Sequence, residues 1–279
     1  MLSRRFLLAT LFMGLVAAGC GSSHNAKTSS TTTSSQVTTT TTSTTTTTTT
    51  APPGVVPAVG LKSYVTSVPS PNLVANISYP ILGGMASNQI ESNINATIYK
   101  AVTGYVASFE KQLQNVSPTT TGAGGSAGNG AEQSQISGSF TKELVDSRYV
   151  SFKFLISTYA VAAASPTTES ESLTFDLGSG DLLSLSSLFS TTNYLQTIST
   201  LSRTAINAKL GQSANQAFVN LGTQPNATNF ASWNLTNTGF ELTFSQGQVA
   251  PMASGVVTIE IPYSQLSAVA KSPGPLTKP

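Results

Sequence analysis

The sequence predicts an α+β fold: a mostly antiparallel sheet packed by two main helices and preceded by a disordered, threonine-rich tether. Three observations carry this expectation. Two stretches repeat apolar residues at helical spacing. The strand-like stretches follow one another as hairpins rather than alternating with helices in βαβ units. Residues 21–60, finally, are dominated by threonine and serine and poor in apolar side chains, so they cannot bury enough surface to offset the entropy of ordering.

The first segment, residues 1–19, reads as a signal peptide, with Arg4 and Arg5 followed by FLLATLFMGLVAA. The apolar stretch from Phe6, about 14 residues, is shorter than the roughly 20 needed for a membrane span. SRRFLL also resembles a twin-arginine export signal. The ending AAGC resembles a bacterial lipobox, which makes Cys20 the expected lipidation site and first mature residue. Residues 20–60 then form the lipid anchor and linker, with an r.m.s. reach of about 35 Å for roughly 40 residues. The expected location is extracytoplasmic, anchored to the bacterial cell membrane through a lipid on Cys20. The alternative is plain secretion with an idle cysteine.

Composition narrows the chemistry. Cys20 is the one cysteine and His24 the one histidine, and both precede the folded region. Ser-His-Asp and Cys-His catalysis and the usual zinc sites are therefore excluded there. No cofactor is expected. Setting aside Arg4, Arg5 and Lys27 leaves ten cations against eleven acids, and no basic stripe exists to hold phosphates. Nucleic acid is not an expected partner.

The folded part is expected from Leu61 and divides into an N-terminal part, 61–165, and a C-terminal part, 166–279. LVANISYP reads as a strand stopped by Pro80. Asn88-Gln89-Ile90-Glu91 resembles a capping box opening a helix over 87–115. Its stripe runs through Ile90, Ile94, Ile98, Val102, Tyr105, Val106, Phe109 and Leu113. A loop rich in small residues fills 117–133. Two strands, 134–145 and 149–163, meet at an Asp146-Ser147-Arg148 turn. Alternation puts Val150, Phe152, Phe154 and Ile156 on one face of the second strand and Tyr149, Ser151, Lys153 and Leu155 on the other. SLTFDL is a strand, Gly178-Ser179-Gly180 a tight turn, and LLSLSSLF leads to a helix over 191–210 with Tyr194, Leu195, Ile198, Leu201, Ala205 and Ile206 inward. FASWNLT, GFELTF and VVTIEIP are the closing strands.

Two segments carry a family resemblance. LTFDLGSGDLLSLSSLF contributes Phe175, Asp176, Gly180, Leu188 and Phe189. FELTFSQGQVAPMASGVVTIEIPYSQL contributes Pro251, Gly255, Pro262 and Tyr263. In this order they resemble the C-terminal domain of the RsiV family, which includes extracytoplasmic lysozyme-sensing anti-sigma factors and a secreted mycobacterial antigen. The block from 73 resembles the companion domain that precedes it. The resemblance implies extracytoplasmic binding of a protein, lysozyme-like in the sensors. The chain departs from the sensors in two ways. Only Met1 to Ser3 stand before the arginines of the expected signal, so no carrier for an anti-sigma role is expected, and the loop AVAAASPTTES lacks the histidine found in many relatives.

The candidate partner-binding residues are Lys142, Asp146, Arg148 and Lys153, clustered around one turn, with a solvated hairpin end as the alternative. Asp176, Asp181, Glu241 and Glu260 are the carboxylates that a glycan hydrolase would use. Asp176 before a glycine turn, however, is placed to tie backbone. Trp233 and Tyr263 read as core anchors or as sugar-stacking platforms. Five N-x-S/T triplets, at Asn76, Asn95, Asn115, Asn226 and Asn234, read as chance in a Ser/Thr/Asn-rich bacterial chain. The QGQVAPMASG connection reads as a bent crossover, with Pro251 at the bend and Gly255 at a positive φ or a close approach. The expected function is non-enzymatic: presentation of a binding module for a protein or a peptidoglycan ligand. A carboxylate-dependent wall hydrolase and a sensor acting through a separate membrane partner are the alternatives.

Overall fold

A computed structural model describes residues 54–115, 133–161 and 163–277. The signal peptide, Cys20, the tether as far as residue 53 and all but the last residue of the 117–133 loop lie outside the described residues. Thr50–Pro279 forms one compact unit, and its fold is α+β. The strands divide between two sheets rather than forming one.

The first sheet has the order β1-β2-β3-β4-β5, built from β1 (Ala58–Val68), β2 (Leu73–Gly83), β3 (Ser134–Val145), β4 (Tyr149–Tyr159) and β5 (Thr167–Asp176). All neighbours are antiparallel except β2 and β3, which run parallel because helix α1 (Asn88–Asn115) stands between them in the chain. The expected stripe of α1 is buried at Ile94, Ile98, Val102, Val106 and Phe109. It forms one core with Leu73, Ala75 and Ile77 of β2 and Val150, Phe152, Phe154 and Ile156 of β4. The start of α1 differs in detail from expectation. Ser87 rather than Asn88 accepts the Ile90 N–H, and Glu91 reaches back to the Met85 N–H at 2.9 Å. One residue of offset lets the carboxylate satisfy the chain entering the helix instead of closing a reciprocal box.

β1 begins at Ala58, inside the expected linker, and β2 runs past Pro80 to Gly83. The Leu82 N–H and C=O both bond the Asn95 side chain, at 2.8 and 2.9 Å. The Val59↔Leu82 rung therefore makes no ladder bonds, and alternation gives Leu61↔Pro80 the same character. The N–H that proline lacks would point away from β1, so the strand loses nothing by containing it.

The second sheet, β6-β7-β8, comprises β6 (Trp233–Leu235), β7 (Gly239–Phe244) and β8 (Val257–Pro262). Helix α2 (Tyr194–Leu210) packs on β8 and buries Ile198 and Ile206. A short α3 (Gln216–Gly222), absent from the sequence expectation, follows; α4 (Tyr263–Leu266) closes the fold. Gly222 ends α3 where a Cβ would collide with the Gln248 carbonyl oxygen. The second core gathers Phe230, Trp233, Phe240, Leu242, Phe244, Ile259 and Leu266. Among the described residues no helix is long and apolar enough to cross a membrane.

Candidate functional site

β2 and β3 pair only from Leu73↔Ser134 to Ile77↔Gly138. Beyond that rung the two strands part. Asn95 acts as a substitute neighbour for Leu82, and a groove of about 640 Å³ opens between the β1–β2 ribbon and β3. Its walls are Val59, Leu61, Ser78, Phe140, Thr141 and Lys142. Leu61 is 66% exposed, an unusual position for a leucine in a strand. Lys142 has no ion-pair partner among the described residues. The groove thus offers apolar walls, strand backbone and one cation.

The four residues expected to form a partner-binding rim do not converge on one surface. Lys142 lies opposite Phe152, on the α1 side of the sheet, and Lys153 opposite Thr141, on the other. A bulge separates the two settings: the β3–β4 register slips between Lys142 and Leu144, which turns Leu144 into the second core and leaves Val145 with the first. Glu143 at the bulge and Glu241 of β7 both take Lys153, at 2.9 and 2.8 Å. Burial works to lower the Lys153 pKa, but hydrogen bonds and charge from Glu241 and Glu143 prevail and raise it. Burial also raises Glu241, opposed by Lys153. Asp146 ties the turn by accepting the Arg148 and Tyr149 N–H groups. Arg148, 62% exposed in its side chain, lies 3.9 Å from Asp176 and over the Tyr149 ring.

The resemblance positions are structural in their contacts. Asp176 accepts the Gly178 N–H at 2.8 Å, and Gly180, at φ 81°, completes that turn. Phe175, Leu188 and Phe189 are buried. Pro262 ends β8, and the Tyr263 hydroxyl donates to the Thr236 carbonyl at 2.8 Å. Trp233 is buried and stacked on Phe240. Two of the N-x-S/T asparagines spend their amides inside the fold, Asn95 on Leu82 and Asn234 on Ser151 and Ser172, and Asn226 accepts the Asn229 N–H at the surface.

The QGQVAPMASG connection is a crossover that seals a sheet edge. The Gln246 N–H donates to the Thr168 carbonyl, its side chain accepts the Thr168 N–H, and Ser245 accepts the Ser170 N–H. Val249 and Ala250 are buried, Pro251 turns the chain, and Gly255 takes φ 67°.

Sequence reasoning missed Glu171. It shares the α1-facing side of β5 with Leu173 and Phe175, opposite Phe154. Burial, reinforced by the charge of Glu169, pushes its carboxyl up to about 7. Glu171 in turn adds to the burial that raises the Tyr105 pKa. The period-2 pattern of TESESLTFD contained the signal, since it puts Glu171 in phase with two core residues.

The second lobe carries a match to a family model. Residues 186–264 match the family described as "Protein of unknown function (DUF3298)". The DUF3298 segment covers α2, α3 and all of the second sheet. Two solved structures share the wider fold. A DUF3298 family member from Bacteroides fragilis aligns with a TM-score of 0.53 at 15% identity, over 78% of this chain and 95% of its own. A DUF3298 family protein from Pseudomonas aeruginosa PAO1 aligns at 0.54 and 13%, over 78% and 96%. The alignments extend beyond the DUF3298 segment, so the two-sheet arrangement is common to these chains. No curated protein matches.

Proposed function

We propose that this chain is a non-catalytic cell-envelope lipoprotein whose RsiV-like module binds an extracytoplasmic protein, with Cys20 carrying the lipid and the threonine tract serving as the tether. The observation that carries the reading is the parting of β2 from β3. It creates a groove with apolar walls, strand backbone and Lys142, which has no ion-pair partner among the described residues, a combination suited to an extended or protruding protein segment bearing a carboxylate. A wall glycan fits less well, because Trp233 is buried and the Tyr263 hydroxyl is engaged. The residue set of the resemblance supports the family assignment, and the match of the DUF3298 segment is consistent with it. The acids favour binding over hydrolysis as well. Asp176 holds a turn, Glu241 holds Lys153, and Glu260 accepts the Thr236 and Thr238 hydroxyls.

Calorimetric titration of residues 50–279 with lysozyme, and separately with soluble peptidoglycan fragments, tests this. Saturable binding to lysozyme that weakens at least about tenfold in Lys142→Glu, a change of about 1.4 kcal/mol, and persists in Glu241→Gln is the expected result. Binding to the glycan alone, or binding indifferent to Lys142→Glu, would refute the groove as the site. Turnover of the glycan lost in Glu241→Gln would favour the hydrolase.

A further inference from the structure

The two edges of the first sheet are treated in opposite ways. Along β5, five bonds close the outer side: Thr168 with Gln246 twice, Ser170 with Ser245, Thr174 with Leu183, and Asp176 with Asp181. Along β1 nothing comparable occurs. Because Val59↔Leu82 is a rung without ladder bonds, alternation turns the N–H and C=O groups of Val59, Leu61, Ser63, Val65 and Ser67 away from β2. None of these groups bonds another described residue. The strand is eleven residues long, pairs with β2 without a register shift, and contains one charge, Lys62, and no proline. Leu61 and Val65 are 66% and 68% exposed. Long, regular and weakly charged edges of this kind pair with other strands unless they are blocked.

The order of residues along β1 identifies the strand it fits. We propose that the outer edge of β1 pairs antiparallel with the same edge of a second copy, about a two-fold axis at Ser63. In that register Leu61 faces Val65 of the other copy, so the two exposed aliphatic side chains of the strand cover each other on one face. Lys62 faces Tyr64 on the other face, a cation against an aromatic ring, and no two like charges meet. The five outward residues, 59, 61, 63, 65 and 67, map onto themselves, so each peptide group meets a complementary one. An isologous contact of this sort closes on itself and ends at two copies. The result is a continuous ten-stranded sheet whose outer edges are the two sealed β5 strands. The inference does not rest on the groove or its ligand: Ser63 and Val65 lie outside the groove walls.

Sedimentation of residues 50–279 over a concentration series is the test. A dimer is expected, reduced to monomer mass by Ser63→Pro and by Val65→Lys, with thermal midpoints no lower than that of the parent diluted to its monomer. The Ser63 N–H is not used within the monomer, and Val65 is solvent-exposed. Should Ser63→Pro fail to fold, Val65→Lys decides alone. Residues 50–279 contain no cysteine, so Ser63→Cys reads the register directly. Facing hydrogen-bonded residues stand about 5.5 Å apart at Cα, inside the range of about 4.4–6.8 Å that a disulfide spans. Under mild oxidation it should yield covalent dimer much faster than the exposed control Thr192→Cys. A monomer throughout the soluble range, a dimer that survives both edge variants, or equal cross-linking of the two cysteines would each overturn the proposal.

Discussion

Glu171 shows how one side chain can make the stability of this fold depend on pH. Its neighbours are Glu169 on the same strand, Phe154 on β4 and Tyr105 of α1, none of which stabilises a carboxylate. Raised to about 7, it binds a proton in the folded state through a range where the unfolded chain has released it. Stability then falls as pH rises from the ordinary carboxyl range towards 7 and stays low above it. The full effect of such a displacement is about 3 kcal/mol, reduced to about 2 kcal/mol because Glu171 is only half-buried and solvent screens part of the charge. Glu171→Gln should be more stable than the parent at pH 8 by that amount and equal to it at pH 4. Urea unfolding at the two pH values checks this. An unchanged pH dependence would mean that another group carries it.

At the level of elements, the determining feature is where β2 loses β3 as a neighbour. Asn95 replaces the missing strand for one residue, donating to the Leu82 carbonyl and accepting its N–H. Asn95→Ala leaves both groups unmet at a partly buried position and should cost about 2 kcal/mol. Faster hydrogen exchange confined to Leu82 and its neighbours is the accompanying signature. Exchange that accelerates evenly along β2 would argue instead for general loosening. The same region marks the limit of what could be read from sequence. The stripe of α1 and the alternation of β3 and β8 are legible because each buries one face with its own period, while β4, β6 and β7 read as strands from short β-branched and aromatic runs bounded by turn residues. Pro80 looked like a stop because its cost depends on which edge its missing N–H faces, and that is settled by a residue fifteen positions later. The first residues of β1, up to Gly60, read as linker because their exposed outer face and lack of charge resemble a spacer. α3 is too short for its periodicity to show.

On the scale of the whole chain, two closed hydrophobic cores meet through a polar seam. The Ser151 hydroxyl pairs with Thr174 at 2.7 Å and accepts from the Asn234 amide and the Leu235 N–H. Ser172 bonds Asn234 and Ser232, and Ser232 bonds Ser170. The Lys153 bridge to Glu143 and Glu241 continues this line. The candidate site residues were hard to place from sequence for this reason: Lys153 and Glu241 look like solvent-facing strand residues until a second sheet covers them. Hydroxyl and amide contacts bind only in register, so the seam fixes how the sheets meet while adding little hydrophobic attachment. Apolar coupling across it comes from Leu144 and Tyr149, which enter the second core from the first sheet. The parent should therefore unfold in one calorimetric transition, held together by the seam. Ser151→Ala with Asn234→Ala removes the hub of the network and leaves Thr174 and Ser172 to re-pair imperfectly, at a cost of about 2 kcal/mol. That loss should fall on the coupling. Amides of β8 should exchange faster while those of β2, inside the first core, keep their protection, and the single transition should broaden or split. Equal loss of protection in both sheets would show that the cores are joined through their apolar contacts and that the seam is incidental.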